Sequence, residues 1–296
     1  MNREEIATLF MQLQDRICNN LEIIDGKSQF IEDKWDRTEG GGGRTRIIQN
    51  GGVIEKGGVA FSSVHGEVTE AMQKQLGIEG SSFFATGVSI VLHPENPHVP
   101  IIHMNVRYFE LNTGVYWFGG GIDLTPHFII EKQAKQFHEG LAAICDKYDS
   151  TFYPKFKNWA DDYFFIPHRN ETRGVGGIFF DHLDTTCGLT KEQILQFCAD
   201  LGEAFASIYE YQVEKGKLLE VDSNQLKWRN LRRGRYVEFN LVNDRGTKFG
   251  LVSGGRTESI LLSMPPEANW EYNLVPLEDS KEAFTLLNLK KGINWI

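Results

Sequence analysis

The sequence predicts an α+β fold: one antiparallel β-sheet with helices packed on it. Three observations carry that prediction. Short strand-like runs follow one another closely and are joined by hairpin turns, the pattern of an antiparallel rather than a parallel sheet. Blocks of helical periodicity precede, interrupt and follow these runs instead of alternating with them one by one. No linker, low-complexity stretch or internal repeat divides the 296 residues, so residues 1–296 read as a single domain.

In chain order, Ile6, Leu9, Phe10, Leu13, Ile17 and Leu21 recur every three or four residues, the apolar stripe of an amphipathic helix over 4–24 that covers the sheet. From Arg44 to Ser62 the text reads strand, Asn50-Gly-Gly turn, strand, because Asn-Gly supplies the positive φ values of a tight hairpin. Runs near 84–93, 102–111 and 114–123 add three strands. The loop Pro94–Pro100 between the first two holds three of the nine prolines, which keep it out of any ladder. Helical spacing returns at 131–147 (Phe137, Leu141, Ile144), at 151–164 and at 190–216 (Ile194, Phe197, Leu201, Phe205, Ile208), with a strand at Gly177–Asp181 between the last two. The last third reads as a meander of strands at Arg235–Val242, Thr247–Val252 and Ser259–Met264, with an Asn243-Asp-Arg-Gly turn.

With 41% hydrophobic and 12% aromatic residues the chain buries a large core. A formal charge of −9 argues against a general nucleic-acid binder, so an anionic ligand must meet a local basic patch. No apolar stretch approaches the roughly 18 residues of a membrane span, and the start lacks the apolar core of a secretory signal, so a cytoplasmic location is expected. Cys18, Cys145, Cys187 and Cys198 lie far apart without a C-x-x-C pair. They indicate neither a zinc site nor a disulfide framework, and Cys18 and Cys145 read as buried, reduced thiols.

The chemistry concentrates on one strand face. Side chains alternate along a strand, so Ser89, Val91 and His93 share a face of the first run, and His103, Asn105 and Arg107 share a face of the second; Met104, Val106 and Tyr108 should point into packing. Downstream, Gly119-Gly-Gly lets the backbone approach something closely and then presents Asp123, which either faces the same side as Arg107 or caps the next segment. Between Arg229 and Arg256 seven basic residues (Arg229, Arg232, Arg233, Arg235, Arg245, Lys248, Arg256) meet two acidic ones. This cluster suits a carboxylate or phosphate, with Gly254 and Gly255 offering backbone N–H groups beside Arg256; a solvated surface or dimer contact is the plainer reading. The glycines of Glu39–Arg44 lack the end of a P-loop and read as a mobile flap, a close approach to a flat ligand, or a simple turn. His93, His103, His138 and His168 invite a metal reading, yet show no helix pair at ligand spacing; a histidine beside Arg107 would instead donate a proton or hydrogen bond. Asp161-Asp162 reads as a cation ligand or a helix cap, and no nucleophile elbow is present.

Taken together, the segments Glu39–Arg44, Gly87-Val-Ser89, His103–Phe109, Trp117–Pro126, Asp161–Phe164, Arg173–Phe180, Arg232–Leu241 and Gly254–Leu261 resemble, in order and over essentially the whole chain, the oxygen-dependent coproporphyrinogen III oxidase family. The resemblance implies a large flat antiparallel sheet sandwiched between helical layers, in a homodimer. It also implies oxidative decarboxylation of two propionates of coproporphyrinogen III to vinyls, giving protoporphyrinogen IX, with O2 as co-substrate and CO2 and H2O2 released. No organic cofactor is expected. Among site residues it implies substrate contacts at Ser89, at Asn105, Val106 and Arg107, and at Gly254, Gly255 and Arg256. His103 would be proton donor, and Arg107 and Asp123 would hold the macrocycle and its reacting propionate. A divalent-metal site at His93, His103, His138 and His168 is also implied, its need in catalysis open, as is dimerisation through His168 and strands from Tyr236 to Glu271. Some positions depart from the usual family form: His182 stands where a second aspartate is common after Asp181, Tyr116 for a tryptophan and Ala160 for a cysteine.

Overall fold

The computed structural model describes residues 1–252 and 255–296. Helix α1 (Arg3–Asp25) leads into strands β1 (Ile31–Asp36), β2 (Gly41–Gln49) and β3 (Ile54–Glu67). After α2 (Glu70–Leu76) come β4 (Ser82–Pro94), β5 (Ile101–Leu111) and β6 (Tyr116–Thr125), then helices α3 (Glu131–Cys145) and α4 (Phe152–Tyr163). A two-strand ribbon, β7 (Phe165–Ile166) and β8 (Glu171–Thr172), precedes β9 (Gly177–Leu183); α5 (Lys191–Gly216), α6 (Ser223–Glu238), a π-helical turn at Phe239–Asn243, α7 (Arg245–Val252), α8 (Thr257–Leu261) and α9 (Lys281–Leu287) complete the chain.

The strands pair in the order β1-β2-β3-β4-β5-β6-β9, antiparallel throughout, so six of the seven follow one another by short connections. One face of this sheet is the main core. Val88, Ile90, Leu92, Met104, Val106, Tyr108, Ile122, Leu124 and Phe180 are buried there against Ile6, Phe10, Leu13 and Ile17 of α1 and the apolar stripes of α3 and α5. Each such fully buried side chain contributes about 1.5–3 kcal/mol, so the polar face opposite is free to be shaped by chemistry. Helix α4 crosses the β9 edge: Phe156 packs on Phe180 in the main core, while Tyr163 stacks on Phe179 on the other face. Cys18, Cys145 and Cys198 are buried and free, on α1, α3 and α5. Among the described residues, no helix is long and apolar enough to cross a membrane.

The expected strands near 45–49, 54–62, 84–93, 102–111, 114–123 and 177–181 are present, as are the helices at 4–24, 131–147, 151–164 and 190–216. The expected meander in the last third is not. Residues 223–252 are α6, nucleated by an Asp222–Gln225 capping box, then the π-helical turn and α7, and Thr257–Leu261 is α8. Arg235–Val242 is rich in aromatic and β-branched residues and reads as strand over eight residues. Over a longer window Trp228, Leu231, Arg232, Tyr236 and Phe239 recur at helical spacing and are all buried. In the glycine segment, Gly41, Gly42 and Gly43 are paired within β2, where a Cβ on Gly42 or Gly43 would collide with β1.

Asp25 ties the end of α1 to the β2–β3 turn. Its carboxylate accepts from the backbone N–H groups of Ser28, Gly52, Val53 and Ile54. Burial pushes this carboxyl up, and the four N–H donors outweigh that and hold it below the usual carboxylate range. Asp25→Ala would leave the buried N–H groups of Val53 and Ile54 without acceptors. A loss of about 3 kcal/mol in urea unfolding is expected.

Candidate active site

The second face is built from three rows across the strands. The first runs Gly43, Ser62, Gly87, Arg107, Gly119 and the second Thr45, Ala60, Ser89, Asn105, Gly121, Phe179. The third runs Ile47, Gly58, Val91, His103, Asp123, Gly177. The first two rows are nearly bare of side chains apart from Asn105, Arg107 and Phe179. A flat floor results, with a polar line along β5.

That line is continuous. Asp123 accepts from His103 Nδ1 at 2.9 Å, the Asn105 amide lies 3.3 Å from His103 Nε2, and Arg107 Nη1 donates to Asn105 Oδ1 at 2.9 Å. Arg107 Nη2 then pairs with Asp181 at 3.1 Å. Because Arg107 fixes the Asn105 oxygen, the Asn105 NH2 faces His103 Nε2. The network therefore places the proton of neutral His103 on Nδ1. Met104, Val106 and Tyr108 point into the core as alternation requires, so any ligand contact by Val106 must use its backbone.

At the far end sits Arg173, which the sequence patterns above do not single out. Arg173, 3% exposed, binds both oxygens of Asp123 (Nη2 to Oδ1 2.5 Å, Nε to Oδ2 3.1 Å) and donates to Asn240 Oδ1. Its guanidinium lies 4.4 Å from the ring centroid of Phe164 and 4.6 Å from those of Tyr236 and Phe239. Asp123 is 1% exposed; burial pushes its carboxyl up, but the Arg173 charge and the His103 and Arg173 hydrogen bonds outweigh this and keep it ionised. It lies mid-strand, so the capping alternative fails. The signal for Arg173 is the Gly174-Val-Gly-Gly177 that follows it: Gly174 and Gly177 have no room for a Cβ against the carbonyls of Leu124 and Ile122, and this close approach brings Arg173 onto Asp123.

Two walls flank the floor. On the β1 side Arg256 pairs with Asp33 at 2.5 Å, Ser259 meets Thr45 at 3.0 Å, and α8 is followed by Leu262 packed over Gly58. On the β9 side Tyr163 stacks on Phe179 and donates to Asp244, which in turn accepts from Thr247. Ser89 is exposed on the floor between them, and Gly255 adjoins Arg256; Gly254 lies outside the described residues.

A family model described as coproporphyrinogen III oxidase matches residues 5–295. The chain belongs to the coproporphyrinogen III oxidase family. It is 46% identical, over 308 aligned positions, to the oxygen-dependent coproporphyrinogen-III oxidase of Drosophila melanogaster, covering 99% of this chain and 78% of that protein.

Several expectations drawn from the sequence need correction. The four histidines are not brought together, and among the described residues no three His, Cys, Asp or Glu side chains converge as metal ligands. His93 is buried under α6, its Nε2 on the Ser263 carbonyl and its ring against Tyr236. His138 lies in the helical layer behind the sheet with both ring nitrogens engaged, and His168 pairs with Glu238 at the surface. These residues do not fit a shared ion. The arginine cluster is mostly internal: Arg229 donates to the Glu95 carbonyl, Arg232 pairs with Glu171, Arg233 with Glu55 and Arg235 with Glu238. Its anions are the chain's own carboxylates. Of the residues expected to dimerise, Tyr236 is buried within the chain, whereas Glu271 is exposed. Asp161 binds Lys157 and the Gly292 N–H, a structural tie.

Two measurements follow. Arg173→Gln would strand Asp123 as a buried, unpaired anion, and a loss of about 3–5 kcal/mol in thermal unfolding is expected. Burial holds His93 down to about 3, His138 to about 4 and His127 well below its ordinary value. Unfolding lets each take up a proton below about pH 6.5, so stability falls with pH from there by up to about 4 kcal/mol per unit for the three. Urea titrations at pH 7, 6 and 5 should show this slope, and His138→Gln should remove about a third of it.

Proposed function

We infer that this chain catalyses the aerobic conversion of coproporphyrinogen III to protoporphyrinogen IX in haem biosynthesis. Each of two propionates reacts as R–CH2–CH2–COO⁻ + O2 + H⁺ → R–CH=CH2 + CO2 + H2O2. The bond to the carboxylate breaks and its electron pair forms the vinyl double bond. Hydride leaves the ring-side carbon and, with a proton, reduces O2 to H2O2.

Family membership supports the reaction, and the flat, nearly side-chain-free floor bordered by Arg107 and Arg256 is the observation that supports the substrate. A planar tetrapyrrole with four carboxylates needs a surface without protruding side chains, rimmed by guanidinium groups that match carboxylates. Arg107 orients the reacting propionate, and Ser89, Asn105, Gly255 and Arg256 line the macrocycle. His103 supplies the proton. For this its Nε2 must carry a proton and part from the Asn105 amide when substrate enters, while Asp123 beneath it stabilises the imidazolium. Asp123, with both oxygens on Arg173 and 1% exposure, acts through His103 as a positioning residue.

A homodimer belongs to the same reading, supported by exposed Trp270, Tyr272, Val275 and Leu277 in the irregular segment after α8. A cytoplasmic location also belongs to it, supported by four free cysteines. The decisive experiment supplies coproporphyrinogen III with and without O2. Vinyl products should form only aerobically, with one O2 consumed per CO2 released. Turnover without O2, or binding without O2 uptake, would refute the assignment.

A further inference from the structure

Strand β9 carries an irregularity beside the polar line of β5. Phe118 pairs with Leu183 and Gly120 with Phe180, so Asp181 and His182 together face the single residue Gly119, a β-bulge. His182 sits at φ 49°, a left-handed conformation strained for a residue with a side chain. Two contacts hold it there: its ring stacks on Trp117 at 4.7 Å, and its N–H donates to Asp181 Oδ1 at 3.0 Å. Alternation from Phe179 puts the Asp181 carboxylate on the site face, where Oδ1 meets Arg107 Nη2 at 3.1 Å, and the bulge inserts His182 beside it before Leu183 returns to the core.

We propose that Asp181 is a positioning residue for the decarboxylation, clamping Arg107 so that its guanidinium holds one fixed orientation toward the reacting propionate. The proposal rests on the reaction assigned above. Arg107 is gripped from two sides, by Asn105 Oδ1 on Nη1 and by Asp181 on Nη2, which fixes the guanidinium plane and leaves its other N–H groups for substrate. Gly119 makes room for the pair: a Cβ there would lie 2.7 Å from Asp181 Oδ1 and 2.8 Å from Arg107 Nε. Asp181 is a quarter exposed, and ion pairs in that setting contribute little to stability, so folding alone does not account for this pair. Positioning does account for it. An arginine free to swing would still attract a propionate by charge but would hold it in many geometries, and the chemical step depends on one. A loose Arg107 should also let the once-decarboxylated tripropionate escape before its second reaction.

The test compares Asp181→Asn, Asp181→Ala and Gly119→Ala with wild type under O2. The expected result is kcat lowered about tenfold or more in each, with KM within about threefold of wild type, since charge attraction persists while orientation is lost. Formate should restore part of the kcat of Asp181→Ala but not of Gly119→Ala, whose carboxylate is present yet displaced. The share of once-decarboxylated product should rise in all three. The isosteric Asn variant keeps the test open if Asp181→Ala folds poorly. Unchanged kcat in the Asn variant, or a raised KM with unchanged kcat, would overturn the proposal. A wild type without O2-dependent turnover would instead overturn the reaction on which it rests.

Discussion

A guanidinium sealed inside the protein must find an anion and polarisable surfaces, and the burial of Arg173 imposes that demand on everything around it. Asp123 answers with both oxygens, and Phe164, Tyr236 and Phe239 present their ring faces. These three aromatics follow α4, end α6 and open the π-helical turn, so elements distant in sequence must converge on one strand. The π-helical turn allows Phe239 and its neighbour Asn240 both to reach Arg173, a common use of such turns near functional sites. From this anchor the polar line runs outward through His103 and Asn105 to Arg107, each group fixing the donor and acceptor roles of the next.

Alternation along a strand makes much of this face legible in the amino-acid order alone. His103, Asn105 and Arg107 at period two belong together, and Met104, Val106 and Tyr108 do pack behind them. The hairpins are equally plain, through Asn50-Gly-Gly and the proline-rich loop. What stays hidden depends on contacts remote in sequence. Arg173 is fifty positions from Asp123, and only its trailing glycines hint at a close approach. The bulge at Asp181 exists only relative to its pairing with Gly119.

The last third, strand-like in its residues and helical in the fold, differs for a similar reason. Arg235-Tyr-Val-Glu-Phe-Asn-Leu-Val carries local strand preference, but β9 already pairs with β6 and the helix offers a better arrangement: Tyr236 and Phe239 over Arg173, Trp228 against the His127 carbonyl. The basic residues there suit an outside anion when taken by themselves. In the folded chain Glu55, Glu171 and Glu238 fill that role, and Arg107 and Arg256, each held by one chain carboxylate, are the guanidinium groups that border the open face.

The seven-stranded sheet is also a partition between incompatible chemistries. The three rows of the floor carry no thiol. Cys18, Cys145 and Cys198 stand on the other side, in α1, α3 and α5. Burial there pushes the thiols of Cys18 and Cys145 up to about 12, and that of Cys198 up as well. Near neutral pH roughly one such thiol in 10⁵ is the reactive thiolate. An enzyme that handles O2 at every turnover thus keeps its buried sulfur both screened and chemically quiet.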